Sequence, residues 1–169
     1  MSISRRQWGG VSMATPDQLP REIERKFLVR KLPDNLESFA HRPIEQGYLA
    51  IGSGGVQVRL RRAGEKHSLT YKRDDRIGRV EREVELTPEQ FGVLWPATEG
   101  KRLTKTRYDV PLGERVVEID IYSGRHQGLI VAEVEFADQQ SARAFHPPPW
   151  LGEEVTNTAF YSNVRLACG

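Results

Sequence analysis

The chain is poor in the features that mark many enzyme and membrane classes. It holds one cysteine, Cys168, so no disulfide can form within it, and a reducing compartment, the cytoplasm, is the expected location. No run approaches the roughly 18 apolar residues that a membrane-spanning helix requires. Arg5 and Arg6 are not followed by the apolar stretch of a secretory signal. His41, His67, His126 and His146 are scattered without ligand spacing, which argues against zinc. Gly52-Ser53-Gly54-Gly55 lacks the lysine and the helix start of a phosphate loop and reads as a hairpin turn. No Gly-x-Ser-x-Gly elbow supports a serine nucleophile. Net charge is almost absent too. With 25 basic and 23 acidic residues it is only +2, which gives no footprint for nucleic acid or a membrane surface.

What is present is alternation. At 169 residues and 38% hydrophobic content the chain suits one domain with a proper core. Residues 1–19 show no periodicity, hold Gly9, Gly10 and Pro16, and are expected to form a flexible tail, leaving 20–169 as the domain. From Arg21 onward the period is two residues, the spacing of strands. Eight are predicted: Glu22–Val29, Ile44–Ile51, Val56–Arg62, His67–Lys72, Arg79–Leu86, Leu103–Pro111, Val116–Ser123 and Ile130–Ala137. Three short helices interrupt them. The first is capped by Thr87, with Pro88 at its first position and Gln90 completing a capping box, and should stop near Pro96. The others are expected over Asp138–Phe145 and Asn157–Ala167. The class is therefore α+β: an eight-stranded antiparallel barrel with a few short flanking helices.

Parity puts the charges on one side of each strand. Glu22, Glu24 and Lys26 share a face, as do Arg59 with Arg61, Lys72 with Thr70, and Lys105 with Arg107. Arg79, Glu81, Glu83 and Glu85 form one row, Glu118 and Asp120 another, Glu133 and Glu135 a third. Two readings are open. An antiparallel sheet commonly turns a polar face to water. Yet like charges recur at i and i+2, about 7 Å apart, where repulsion is about 2 kcal/mol per pair at an effective dielectric near 20. Salt would screen that on a surface, whereas an enclosed face needs counter-ions. Carboxylate doublets want a hard divalent cation such as Mg²⁺ or Mn²⁺, and arginine forks match phosphate oxygens. Both together describe a metal–polyphosphate complex. Tyr48 is open as well: it is either a plain strand tyrosine or a phenol among cations whose proton is loosened for transfer.

Glu22-Ile23-Glu24-Arg25-Lys26 resembles the ExExK signature of the CYTH superfamily, the triphosphate tunnel metalloenzymes. Further blocks carry the resemblance: Gln46-Gly47-Tyr48-Leu49, Val58-Arg59-Leu60-Arg61, Leu94 to Gly100, Lys105-Thr106-Arg107-Tyr108, Glu133-Val134-Glu135-Phe136, and Pro147 to Thr156. It extends over roughly Leu19 to Leu166 and is closest to the short bacterial inorganic triphosphatases. The resemblance implies an eight-stranded tunnel and metal-dependent removal of the terminal phosphate of tripolyphosphate. It implies metal ligation by Glu22, Glu24, Glu133 and Glu135, supported by Glu81 and Asp120. Lys26, Arg59, Arg61, Lys72, Lys105 and Arg107 would hold the phosphates, with Tyr48, Lys26 and Glu83 in the proton transfer. A homodimer is implied by family behaviour. Adenylyl cyclase or thiamine triphosphatase activity on the same fold, and a non-catalytic polyphosphate- or nucleotide-binding module, are the competing expectations. The N-terminus is longer than the family's, placing the signature some twenty residues in.

Overall fold

The computed structural model describes residues 23–75 and 78–169. Glu22, the predicted tail and the Arg79 side chain lie outside what it describes. The period-two alternation is realised as one antiparallel sheet. Its strands are β1 (Ile23–Val29), β2 (His41–Ile51), β3 (Gln57–Ala63), β4 (Lys66–Asp75), β5 (Gly78–Leu86), β6 (Arg102–Leu112), β7 (Arg115–Tyr122), β8 (Ile130–Phe136) and β9 (Leu151–Glu154). All eight expected strands are there. The ninth is four residues long, holds Gly152 and follows three prolines, so it shows no alternation to read.

The helices are α1 (Pro88–Leu94), α2 (Gln139–Ala144) and α3 (Asn163–Cys168). The Thr87 hydroxyl accepts from the Gln90 backbone N–H at 3.2 Å, and Gln90 Oε1 accepts from the Thr87 N–H at 2.9 Å, closing the expected capping box. Pro96 ends the α-helix but is tolerated in the first turn of a 3-10 segment, Trp95–Thr98. The last expected helix is split. A 3-10 turn at Ala159–Tyr161 ends at Ser162, whose hydroxyl accepts from the Arg165 N–H at 3.3 Å and starts α3 afresh.

The strand order is β5-β4-β3-β2-β6-β7-β8-β1-β9. The barrel is rolled without a closing ladder, β5 and β9 standing at the two ends of the order. A strand has two edges, and β1 uses one on β8 and the other on β9 and the Val155–Thr156 backbone and hydroxyl. Among the described residues no ladder joins β1 to β5. The sheet still rolls far enough that side chains of β1 and β5 line the same cavity.

The two faces of the roll are buried by different means. On the outer face, Phe27, Tyr108, Val110, Val117, Ile119, Ala132, Val134 and Phe136 pack under α2, Leu36 and Leu151. The inner face is charged except at one end. There Tyr48, Leu103, Tyr122 and Val131 meet Leu166 and Ala167 of α3, which closes that end. Arg125 donates to the carbonyls of Leu166, at 2.8 Å, and Ala167, and His126 Nε2 lies 2.6 Å from the Leu166 carbonyl. These contacts satisfy the last carbonyls of α3 and fix it in place.

Gly47 is required by a close approach. A Cβ there would lie 2.6 Å from the Thr98 side chain, so only glycine lets the Trp95–Thr98 turn seat against β2. The Gln46-Gly47-Tyr48-Leu49 and Leu94-to-Gly100 blocks are therefore two halves of one packing contact.

Candidate active site

The interior of the roll is a cavity of about 410 Å³. Each of the eight long strands contributes to it. Basic side chains come from Lys26 (β1), Arg59 and Arg61 (β3), Lys72 (β4) and Arg107 (β6); acidic ones come from Glu24 (β1), Glu81 and Glu83 (β5), Glu118 (β7), and Glu133 and Glu135 (β8). Tyr48, Gln57 and the start of α3 complete the wall. The enclosed reading of the charged faces, not the water-facing one, describes these strands.

Two expected site residues lie behind the wall. Asp120 and Lys105 have fully covered side chains and pair with each other. Asp120 also accepts from Arg107, Oδ1 from Nε at 2.7 Å and Oδ2 from Nη2 at 2.6 Å. Both carboxylate oxygens thus accept from cations, an arrangement that orients Arg107, and the side chain itself has no exposed surface. The residue missed as a site candidate is Glu118. Its parity with Asp120 put it on the charged face, and its register partner across β7–β8 is Glu133.

Arg107 is the hub. Besides Asp120 it donates to Glu118, and Nη2 reaches Glu133 Oε2 at 2.8 Å. Lys26 Nζ approaches the other Glu133 oxygen at 2.7 Å. Burial alone would push the Glu133 carboxyl up, but Lys26, Lys105 and Arg107 outweigh it and hold the group below the ordinary carboxylate range. Glu118 goes the other way: burial raises it, and Glu133, Asp120 and Glu135 add to that against Arg107. Lys105 is lowered to about 8, chiefly by burial, with Asp120 opposing.

Opposite this acidic wall the balance is positive. Arg59 Nη2 donates to Thr70 Oγ1 at 3.0 Å, and Arg61 Nη2 to Gln46 Oε1 at 3.3 Å. Yet Nε of both arginines is buried without a hydrogen-bond partner. Burial first, then Arg59 and Arg107, lower Arg61 to about 10. Two adjacent buried guanidiniums with unfilled donors are costly unless an anion joins them.

Tyr48 sits on the inner face as the parity allowed, 2% exposed, accepting from Gln46 Nε2 at 3.2 Å. Its proton is not loosened. Burial raises the phenol to about 12 against the opposing pull of Arg59 and Arg61. Glu83 is half exposed, and its Oε2 accepts from the Thr70 hydroxyl at 2.7 Å.

The carboxylates suit a hard cation. Glu24 faces Glu135 across β1–β8, and Glu118 faces Glu133 across β7–β8. Directly opposed like charges are unfavourable unless something positive lies between them, and in the second pair Arg107 already bridges the two carboxylates. Among the described residues, no three acidic, histidine or cysteine side chains form a ready-made cage. Pairs of carboxylates fit an ion such as Mg²⁺, which keeps waters and takes substrate oxygens as its remaining ligands.

The CYTH domain pattern matches residues 20–161. An inorganic triphosphatase of Nitrosomonas europaea is 43% identical over 147 residues, covering 86% of this chain and 96% of that protein. An inorganic triphosphatase of Acetivibrio thermocellus is 33% identical over 149 residues, covering 86% and 92%. The crystal structure of an inorganic triphosphatase superposes with a TM-score of 0.70 at 41% identity, covering 89% of this chain and 97% of the other. With a rolled sheet charged on its inner face and a match of this extent, the chain belongs to the CYTH domain family.

Proposed function

We propose that the chain is a metal-dependent inorganic triphosphatase that cleaves the terminal phosphate from tripolyphosphate inside the tunnel. The observation that carries the reading is the juxtaposition within one cavity of Arg59 and Arg61, whose buried Nε donors lack acceptors, and the facing carboxylate pairs Glu24–Glu135 and Glu118–Glu133. The first wants a polyanion and the second a divalent cation. Relatives that carry the name inorganic triphosphatase over nearly their whole length support it.

A divalent cation goes with the family, and the all-oxygen donor set favours Mg²⁺ or Mn²⁺ over softer metals. Glu24, Glu135, Glu133 and Glu118 would hold it, with Glu22 of the signature and Glu81 as further donors. When bound it supplies positive charge to phosphate oxygens and lowers the proton affinity of nearby water. The chain's own residues do the rest. Arg59, Arg61 and Lys72 on one wall and Lys26 and Arg107 on the other bind the phosphates and neutralise charge that develops as the P–O bond to the pyrophosphate leaving group breaks. Asp120 and Lys105 act from behind by fixing Arg107. Water attacks the terminal phosphorus, and its proton goes to Glu83, the half-exposed carboxylate of the cavity. Tyr48, protonated to about 12, is better suited to donate to a phosphate oxygen than to accept the water's proton.

Among the described residues Tyr48 is the single ring in the cavity lining, which offers no platform for a base or a thiazolium. Adenylyl cyclase and thiamine triphosphatase readings are therefore less favoured. We assign the activity to residues 20–169. One chain supplies all eight long strands of the described cavity, and gel filtration with light scattering decides whether a homodimer forms. Phosphate release from tripolyphosphate, ATP and thiamine triphosphate, with Mg²⁺, with Mn²⁺ and with chelator, tests the function. Metal-dependent release fastest from tripolyphosphate is expected. Absence of turnover with tight tripolyphosphate binding would favour a binding module instead.

A further inference from the structure

The closed end of the tunnel carries a polar side chain that none of the roles above uses. Asn163, the first residue of α3, lines the cavity beside Ser162 and Val164. Its Oδ1 accepts from the Tyr122 hydroxyl at 2.7 Å and from Lys105 Nζ at 3.4 Å. Both neighbours are obliged to donate. An ammonium has no acceptor, and the Tyr122 phenol, raised well above its ordinary value by burial and by Asp120 and Glu133, keeps its proton. The amide oxygen is therefore pinned toward the protein, and the NH₂ group must point the other way. Among the described residues no hydrogen bond is made by that nitrogen.

We propose that Asn163 contacts substrate: its side-chain amide N–H donates to the phosphate at the α3 end of the tunnel and fixes how far the phosphate chain can enter. The assignment rests on the tripolyphosphate reading and deepens it. A neutral donor at this position adds an anion contact without repelling the cation that the acidic pairs attract. Leu166 and Ala167 seal the space beyond, so the phosphate chain has no further path past Asn163. Lys105, which cannot reach the cavity itself, contributes through Asn163 by fixing its orientation.

Asn163→Asp separates the two faces of the residue. The carboxylate still accepts from Tyr122 and Lys105, so α3 stays seated, but lone pairs replace the N–H donors on the cavity side. The expected result is a melting temperature at or above that of the parent, a KM for tripolyphosphate raised about tenfold or more, and weaker tripolyphosphate binding in calorimetry. Asn163→Ala should show a smaller rise in KM and a lower melting temperature. A folded Asn163→Asp variant with KM and affinity within about twofold of the parent overturns the assignment. A melting temperature well below the parent's overturns it too, because the amide would then be oriented the other way. A parent chain that neither turns over nor binds tripolyphosphate instead brings down the functional reading on which the assignment rests.

Discussion

Replacing Asp120 by asparagine asks whether this carboxylate serves the metal or serves Arg107. The side chain is fully buried, with Lys105 and two nitrogens of Arg107 as its partners. Asparagine keeps the shape but leaves two buried cations facing a neutral amide whose NH₂ is itself a donor. Breaking a buried ion pair from one side costs about 3–5 kcal/mol. Part of that can be escaped. Lys105 is already lowered to about 8, and Asp120 is the strongest influence holding it up. Without Asp120 the amine falls further and sheds its proton near neutral pH, which places the expected loss toward the lower figure, about 3 kcal/mol. In a chain of this size that corresponds to roughly 6–12 °C in melting temperature. Thermal and urea unfolding of the metal-free protein measure it. Adding Lys105→Met should recover part of the loss, since the second mutation removes a buried amine that has lost its partner. KM for tripolyphosphate should rise as well, because Arg107 loses its bracket. A metal ligand would behave differently: neutralising one member of a like-charged pair leaves metal-free stability unchanged or improved. An Asp120→Asn protein melting within about 2 °C of the parent, or a Lys105→Met change that adds its full cost on top, would refute the counter-ion role.

Arg61→Met should leave ligand-free stability equal or higher while raising KM for tripolyphosphate at least about tenfold, because it removes a buried guanidinium with an unfilled donor; a clear drop in urea midpoint with unchanged KM contradicts this. Tyr48 has a folded value of about 12 against an ordinary 10, so its contribution is full below pH 10 and is lost as pH rises from 10 to 12. Relative to Tyr48→Phe, the parent should therefore lose about 2–3 kcal/mol more over that interval, read from urea midpoints at stepped pH. Gly47→Ala pushes a Cβ to 2.6 Å from Thr98, whose hydroxyl is held by the Trp95 carbonyl and Arg102 Nε, both at 2.7 Å. The expected cost is about 1–3 kcal/mol in unfolding free energy, and an unchanged midpoint would show that the turn yields freely.

The strands were legible because the chain writes its two faces in alternate residues. Val117, Ile119, Val134 and Phe136 pack outward while Glu118, Glu133 and Glu135 turn inward, and the expected ends of β1 to β8 lie within three residues of those observed. The N-cap at Thr87 was legible for an equally local reason. What failed locally was β9, too short to alternate, and the break at Ser162, where a serine that could sit within a helix instead caps a new one.

The sequence by itself determined which face of each strand is charged; that those faces turn toward one cavity, so that acids and bases meet, was decided by the rolling of the sheet. Alternation is a property of neighbouring residues and needs no tertiary contact. Depth does not work that way. Glu118 and Asp120 share a face two residues apart, yet one lines the cavity and the other is sealed behind it with Lys105. That difference is set by strand register and by where α3 closes the tunnel. The seam between β5 and β1 is likewise tertiary, since it exists because residues 151–156 take the edge that a closed barrel would have given to β5. The protonation of Tyr48 was decided in the same way, for burial in the assembled roll outweighs the arginines that lie beside it in the register.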